Sequence, residues 1–293
     1  MVPKLIVGSA AGGPPPGFPA DPPPLQCWLT PDGETVAHGF RDHGGAWMLW
    51  PRLAAYRFNF PDEQSITAYP EPGARLSSVW DVYRRSVLPM AMQAAGWEVL
   101  HASGIVAAGG VVAFCARSET GKSTIAYGLS RRGFAQWADD GVVVGVHGGI
   151  VSVPLPFEVR LREGSERLLR GALPEHSRFE FNGPGAQVHD APIPIRALCV
   201  LDRASDLDAP ARITPIAPAD AFTALLTHAH EFDWSDAERR AAMVRTYLRV
   251  VADVPMFAVS FAPSPARIEE LFDAIISGLR LELPRHTSTH VGA

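Results

Sequence analysis

Cysteine is scarce in this chain of 293 residues: Cys27, Cys115 and Cys199 stand far apart. An odd, sparse set makes no disulfide framework and has no metal-site spacing, so reduced thiols in a cytoplasm are expected. Long apolar runs are missing too. None approaches the roughly 20 residues that cross a bilayer, and no membrane partner is expected. The stretch 5–11 has one Lys before it but is too brief and Gly-rich for a signal peptide. Positive charge is in deficit. The 26 Lys and Arg against 31 Asp and Glu give a net charge of -5, which leaves no global basic field for nucleic acid. No repeat of about 20–50 residues is visible.

Glycine and proline are plentiful. The 27 Pro and 26 Gly imply many turns and exclude an all-helical bundle. The 47% hydrophobic and 19% charged content is that of a globular chain, long enough for one large domain or two smaller ones.

Residues 12–24 read GGPPPGFPADPPP, a Pro-rich segment expected to be extended and without a packed core. The short runs LQCWLT, ETVAHGF, WMLW, YRFNF and SITAY follow, separated by turn residues, and predict a small β-rich region. Its core candidates are Trp47, Trp50, Tyr56 and Phe58. Helical spacing of Leu76, Val79, Val82, Tyr83, Val87 and Met90 predicts a helix over 75–95, with a kink or break at Pro89. The expected organisation is a Pro/Gly-rich segment (1–24), a small β-rich domain with a connecting helix (25–95), a larger C-terminal domain (96–283) and a frayed tail (284–293).

The catalytic assignment rests on 97–146. WEVLHASGIVAA and VVAFCA flank Gly109-Gly110 and predict a hairpin. With those glycines as the turn, His101 faces Ser118. The second strand runs into ARSETGKST, residues 116–124, whose end Gly121-Lys122-Ser123-Thr124 is the second half of a phosphate-binding loop. Successive backbone N–H groups cradle phosphate oxygens, a Lys ammonium neutralises charge and a Ser hydroxyl ligates Mg²⁺. Ala116 stands where that pattern has Gly, and Ser118-Glu119-Thr120 replaces a small, Gly-rich middle. An acid folded toward a triphosphate would repel it, so Glu119 must point outward. A helix should run to about Arg132 and end at Gly133. The strand FAQWADD then closes on Asp139 and Asp140. A right-handed crossover would bring both strand ends to one sheet edge, gathering Lys122, Asp139 and Asp140. Paired carboxylates there suit both a hard metal ion and acceptance of a proton from an attacking hydroxyl.

The run LHASGIVAAGGVVAFCARSETGKSTIAYGLSRRGFAQWADDGVVV resembles the catalytic core of HPr kinase/phosphorylase and its stand-alone relatives, which include lasso-peptide tailoring kinases. The resemblance is strong over 97–146 and weaker over 153–170 and 254–278. It implies an α/β fold, a P-loop core of the HPr kinase and phosphoenolpyruvate carboxykinase type behind a small β-rich N-terminal domain. It implies that Lys122 contacts the β/γ-phosphates, that Ser123 ligates Mg²⁺ and that Thr124 supports the loop. Ser118, Glu119, Thr120 and Gly121 would line the nucleotide. One of Asp139 and Asp140 would be the general base and the other a metal or water ligand. Asp139 is the first choice as base, although the sequence does not separate them. His101 would sit near the transferring phosphoryl group. Glu158 and Arg160 fall where the family has a carboxylate by the metal and a cation by the phosphates, yet their alternation also fits an edge strand with a solvated face. Oligomeric relatives leave a homo-oligomer open.

The function expected is ATP-dependent, Mg²⁺-assisted phosphoryl transfer to a hydroxyl, with a Ser of a peptide or protein as acceptor. Two rivals stay open: a kinase of a small hydroxyl metabolite such as a sugar or amino acid, and a non-catalytic ATP-binding sensor or assembly protein. The pair His228 and His230 is read as a helix surface, and the arginines Arg239, Arg240, Arg245 and Arg249 as a solvated helix face.

Overall fold

The structure is a computed structural model, and it describes residues 2–8, 15–19, 24–30, 32–42, 45–59, 64–157, 159, 191–233 and 235–284. Its elements in chain order are the strands β1 (Lys4–Val7), β2 (Gln26–Leu29), β3 (Thr35–Asp42), β4 (Gly45–Trp50), β5 (Ala54–Phe58) and β6 (Ser65–Pro70), then the helices α1 (Leu76–Val82) and α2 (Leu88–Ala94). The strands β7 (Glu98–Leu100), β8 (Ala102–Ala107) and β9 (Gly110–Cys115) lead to α3 (Lys122–Arg131), followed by β10 (Ala135–Ala138), β11 (Val142–Val146) and β12 (Ile150–Val153). The last elements are β13 (Ile193–Arg203), β14 (Ala211–Pro215), α4 (Pro218–Thr227), α5 (Ala237–Asp253), β15 (Met256–Phe261) and α6 (Ile268–Gly278). The fold is mixed α/β. No helix among the described residues is long and apolar enough to cross a membrane.

The chain divides into two compact units, one of residues 1–99 and 229–246, the other of 100–228 and 247–293. The stretch 229–246, which sequence reading placed inside an unbroken 96–283, thus groups with the N-terminal strands. Its Phe232 lies against Trp28 and Phe58 at ring-centroid distances of 6.3 and 5.4 Å. Its Arg239 is not on a solvated face: it donates to the buried Glu98 carboxylate at 2.8 Å and to the carbonyls of Gln93 and Trp97.

The first unit holds a six-stranded sheet in the order β1-β6-β5-β4-β3-β2. Strands β2 to β6 form an antiparallel meander, as their short alternating runs and turn residues imply. Strand β1 adds to it in parallel beside β6, from within the segment 1–24 expected to be Pro/Gly-rich. Trp47, Tyr56 and Phe58 are buried as expected, while Trp50 is half-buried. Phe18, from the Pro-rich segment, packs edge-on against Phe40 and Trp47, so part of that segment is anchored. The 75–95 helix passes Pro89 without a break. A π-helical turn, Tyr83–Val87, sits just before α2, and the Leu88 N–H reaches back to the Tyr83 carbonyl. That wider turn accommodates a residue with no N–H to donate.

In the second unit the sheet order is β10-β8-β9-β13-β12-β11, with β15 beside β13 and β14. Strand β10 is antiparallel to β8, and β8 antiparallel to β9, so β9 and β10 run the same way with β8 between them. The apolar faces of α3 (Ile125, Ala126, Leu129) and α6 (Leu271, Phe272, Ile275) share one core with β9, β13 and β15. Helix α3 stops where predicted. Gly133 at φ 96° donates to the Ser130 carbonyl, and the Phe134 N–H reaches Leu129. These two bonds close a Schellman cap that only a residue tolerant of positive φ makes cheaply.

The β8–β9 hairpin corrects one expectation. Paired residues sum to 217, since Ala102 faces Cys115 and Ala107 faces Gly110. The turn is therefore Ala108-Gly109, and His101, one step beyond the last pair, is in register with Ala116 and not Ser118. Gly110 belongs to β9 because the Pro194 carbonyl lies against it, in the space a Cβ would fill.

Candidate active site

The loop 116–121 leaves the end of β9 and enters α3 at Gly121, whose φ of 127° turns the chain into the helix. The Ile125 N–H closes the first helical turn on the Gly121 carbonyl at 2.9 Å. Ala116 is buried, and the side chains of Arg117, Ser118 and Glu119 are exposed. The backbone there is strained: Glu119 has φ 68°. A left-handed conformation costs an L-residue roughly 1–2 kcal/mol.

Lys122 is only 5% exposed. Its ammonium donates to the carbonyls of Ala116 at 3.0 Å and Arg117 at 3.4 Å, so it folds back along the loop. Burial pulls its pKa below the usual value, and Asp140, Cys115 and Asp139 push the other way. The two carboxylates and the ammonium therefore share one electrostatic neighbourhood. Cys115, behind the loop, is pushed up to about 12 by burial, which keeps it a neutral thiol.

Asp139 and Asp140 follow the last residue of β10 and are half-buried. Asp139 Oδ1 accepts from the Ser123 hydroxyl at 2.7 Å and from the Ser103 hydroxyl at 2.6 Å. Asp140 is held at φ 64°, a left-handed position that aspartate tolerates better than most residues. Thr124, the third residue of α3, is half-buried. His101 is half-buried, and its N–H donates to the His228 carbonyl at 2.7 Å. Glu158 and Arg160 lie outside the described residues.

Two residues at this rim have no role in the sequence reading, and a third has a different one. Ser103, on β8, is fully buried and donates to Asp139. Arg203, at the end of β13, donates from Nη2 to the Glu119 carbonyl at 2.6 Å and from Nε to the Thr120 carbonyl at 3.0 Å. Strand β13 runs parallel beside β9 with Val200 opposite Cys115, so its last residue arrives next to the loop. The pairing of these strands, separated by about 80 positions, carries no local sequence signal. His228 is buried at the end of α4 and not on a helix surface. Burial lowers its pKa, and Lys122 and Arg117 lower it further.

Together these groups offer a helix N-terminus, a buried ammonium, a hydroxyl and two carboxylates at one sheet edge. That set can receive an anion at the helix end and a hard cation between hydroxyl and carboxylate. Ser123 with Asp139 and Asp140 is an all-oxygen donor set that fits Mg²⁺, an ion that takes few protein ligands and keeps water and phosphate oxygens for the rest.

No protein-family model matches the chain, and no curated protein sequence matches it. Among solved structures it is similar to the HPr(Ser) kinase/phosphatase from Coxiella burnetii, at 12% identity over 62% of this chain and 98% of that one, with a TM-score of 0.31. That is a distant structural likeness, and the chemistry of the rim is read from its own residues.

Proposed function

We propose that the protein is an ATP-dependent kinase that transfers the γ-phosphoryl group to a hydroxyl, with a serine of a peptide or protein as acceptor. The observation that carries this reading is the Ser123–Asp139 hydrogen bond, which couples the loop's hydroxyl to the acid pair beside Lys122. A phosphate loop alone would serve binding. Two acids at the same rim supply what transfer to a hydroxyl needs.

Backbone N–H groups at the start of α3 receive the phosphates, and the Lys122 ammonium leaves the Ala116 and Arg117 carbonyls to meet the β/γ oxygens. Ser123 with a carboxylate of the pair would hold Mg²⁺, which when bound neutralises charge on the phosphate oxygens. In the transfer the acceptor oxygen bonds to the γ-phosphorus, and the bond from that phosphorus to the β-phosphate oxygen breaks. The hydroxyl proton passes to a carboxylate of Asp139 or Asp140, and ADP leaves. His101, one step beyond the last pair of the β8–β9 hairpin, would line the same edge.

Lys122→Ala tests the reading. ATP turnover should fall by at least about a hundredfold, because the charge on the transferring group is no longer met. Undiminished turnover would exclude the loop as the phosphate site. Asp139→Asn and Asp140→Asn separate the two acids. The base variant should lose kcat with MgATP affinity retained, and the metal-side variant should need more Mg²⁺.

A further inference from the structure

We propose that Arg203 is a positioning residue of the phosphate loop, a guanidinium fork that holds a shape the loop's own residues do not favour. The proposal rests on the nucleotide reading for its effect on ATP, and on geometry alone for its effect on the loop.

The loop turns through a left-handed residue at its centre, and that residue is Glu119 at φ 68°. Alternation of right- and left-handed backbone aims successive N–H groups into a concave anion site. Glycine holds such a position at no steric cost, whereas a Glu there drifts toward negative φ unless something restrains it. The restraint comes from outside the loop. Arg203 donates to the carbonyls of Glu119 at 2.6 Å and Thr120 at 3.0 Å, the two that follow the strained residue. In a trans peptide the N–H points opposite to the carbonyl. Fixing the Thr120 carbonyl therefore aims the Gly121 N–H away from Arg203. Fixing the Glu119 carbonyl likewise sets the Thr120 N–H, which closes on the Arg117 carbonyl at 3.3 Å. A planar fork with several donors does this, and a single ammonium does not.

Coupling between residues 203 and 119 distinguishes this role from ordinary support. If Arg203 compensates for an L-residue at positive φ, then glycine at 119 should make Arg203 nearly dispensable. The full-length wild type, Arg203→Ala, Arg203→Lys, Glu119→Gly and the Arg203→Ala/Glu119→Gly double variant are compared by two measurements. The first is amide hydrogen exchange over 117–124 without nucleotide. The second is the Kd for MgATP by calorimetric titration.

Arg203→Ala should speed exchange in the loop and weaken MgATP about tenfold, the scale of losing charge-assisted hydrogen bonds. Arg203→Lys should fall between it and the wild type. Whatever Glu119→Gly alone does to the Kd for MgATP, in that background the Arg203→Ala effect should shrink to under about threefold. Equal exchange in wild type and Arg203→Ala overturns the proposal, as does an equal loss in both backgrounds. A wild type that binds no MgATP overturns the nucleotide reading, and hydrogen exchange still decides the role of Arg203.

Discussion

The Ser123 hydroxyl donates a 2.7 Å hydrogen bond to Asp139 Oδ1 across 16 positions of sequence. Ser123 belongs to the first turn of α3, and Asp139 follows the end of β10. They meet because β9 and β10 point the same way, so the loop leaving one and the acids closing the other occupy one edge. Lys122 lies beside them, close enough for both acids to act on its pKa.

Ser103 donates to the same carboxylate oxygen. Its buried hydroxyl is the second donor to Asp139 Oδ1. On the proposed kinase reading, Ser103→Ala should lower kcat about tenfold while leaving the KM for ATP near its wild-type value, because the acid would lose orientation and not phosphate contacts. Steady-state kinetics at saturating Mg²⁺ measures both constants. An unchanged kcat would remove Ser103 from the site.

Gly128 on α3 has no room for a side chain, since the Phe272 ring of α6 occupies the space where its Cβ would lie. Two effects oppose each other in Gly128→Ala. Helix propensity favours Ala by about 1 kcal/mol. Overpacking a tight core costs about 1–3 kcal/mol. Overpacking should win, with a lower urea midpoint, and adding Phe272→Leu should recover part of the loss. A raised midpoint in the single variant would refute the close α3–α6 contact.

The pKa of His228 is held below 6.5 by burial first and by Lys122 and Arg117 next. Between that depressed folded value and 6.5 the unfolded chain binds a proton that the folded chain does not. Stability must then fall as pH drops through this window, by at most about 1.4 kcal/mol per pH unit. His228→Gln removes the titration, so its urea midpoints at about pH 7, 6 and 5 should decline less steeply than those of the wild type. Parallel curves for the two proteins would show that His228 titrates normally.

Much of this architecture was legible locally. The runs LQCWLT through SITAY became β2 to β6, and the Gly133 cap of α3 stands where the pattern placed it. The residues proposed for the site were likewise read from one short stretch. GKST and the following DD lie within one strand–loop–helix–strand unit, and short-range connectivity constrains where its ends can go. The hairpin register was misread because Gly-Gly is ambiguous. Either glycine can serve the turn, and the Pro194 carbonyl that claims Gly110 is distant in sequence.

The amino-acid sequence by itself determined the elements and the chemical inventory: an ammonium, a hydroxyl and two acids at fixed spacing. Tertiary structure decided which remote residues serve them. Arg203 reaches the loop through the parallel pairing of β13 with β9, Ser103 reaches Asp139 through its place on β8, and 229–246 joins the N-terminal unit through Phe232 and Arg239. The physical reason is range. Periodicity, capping and turn chemistry act over a few residues, whereas strand order and buried polar partners arise only when the whole chain has chosen its neighbours.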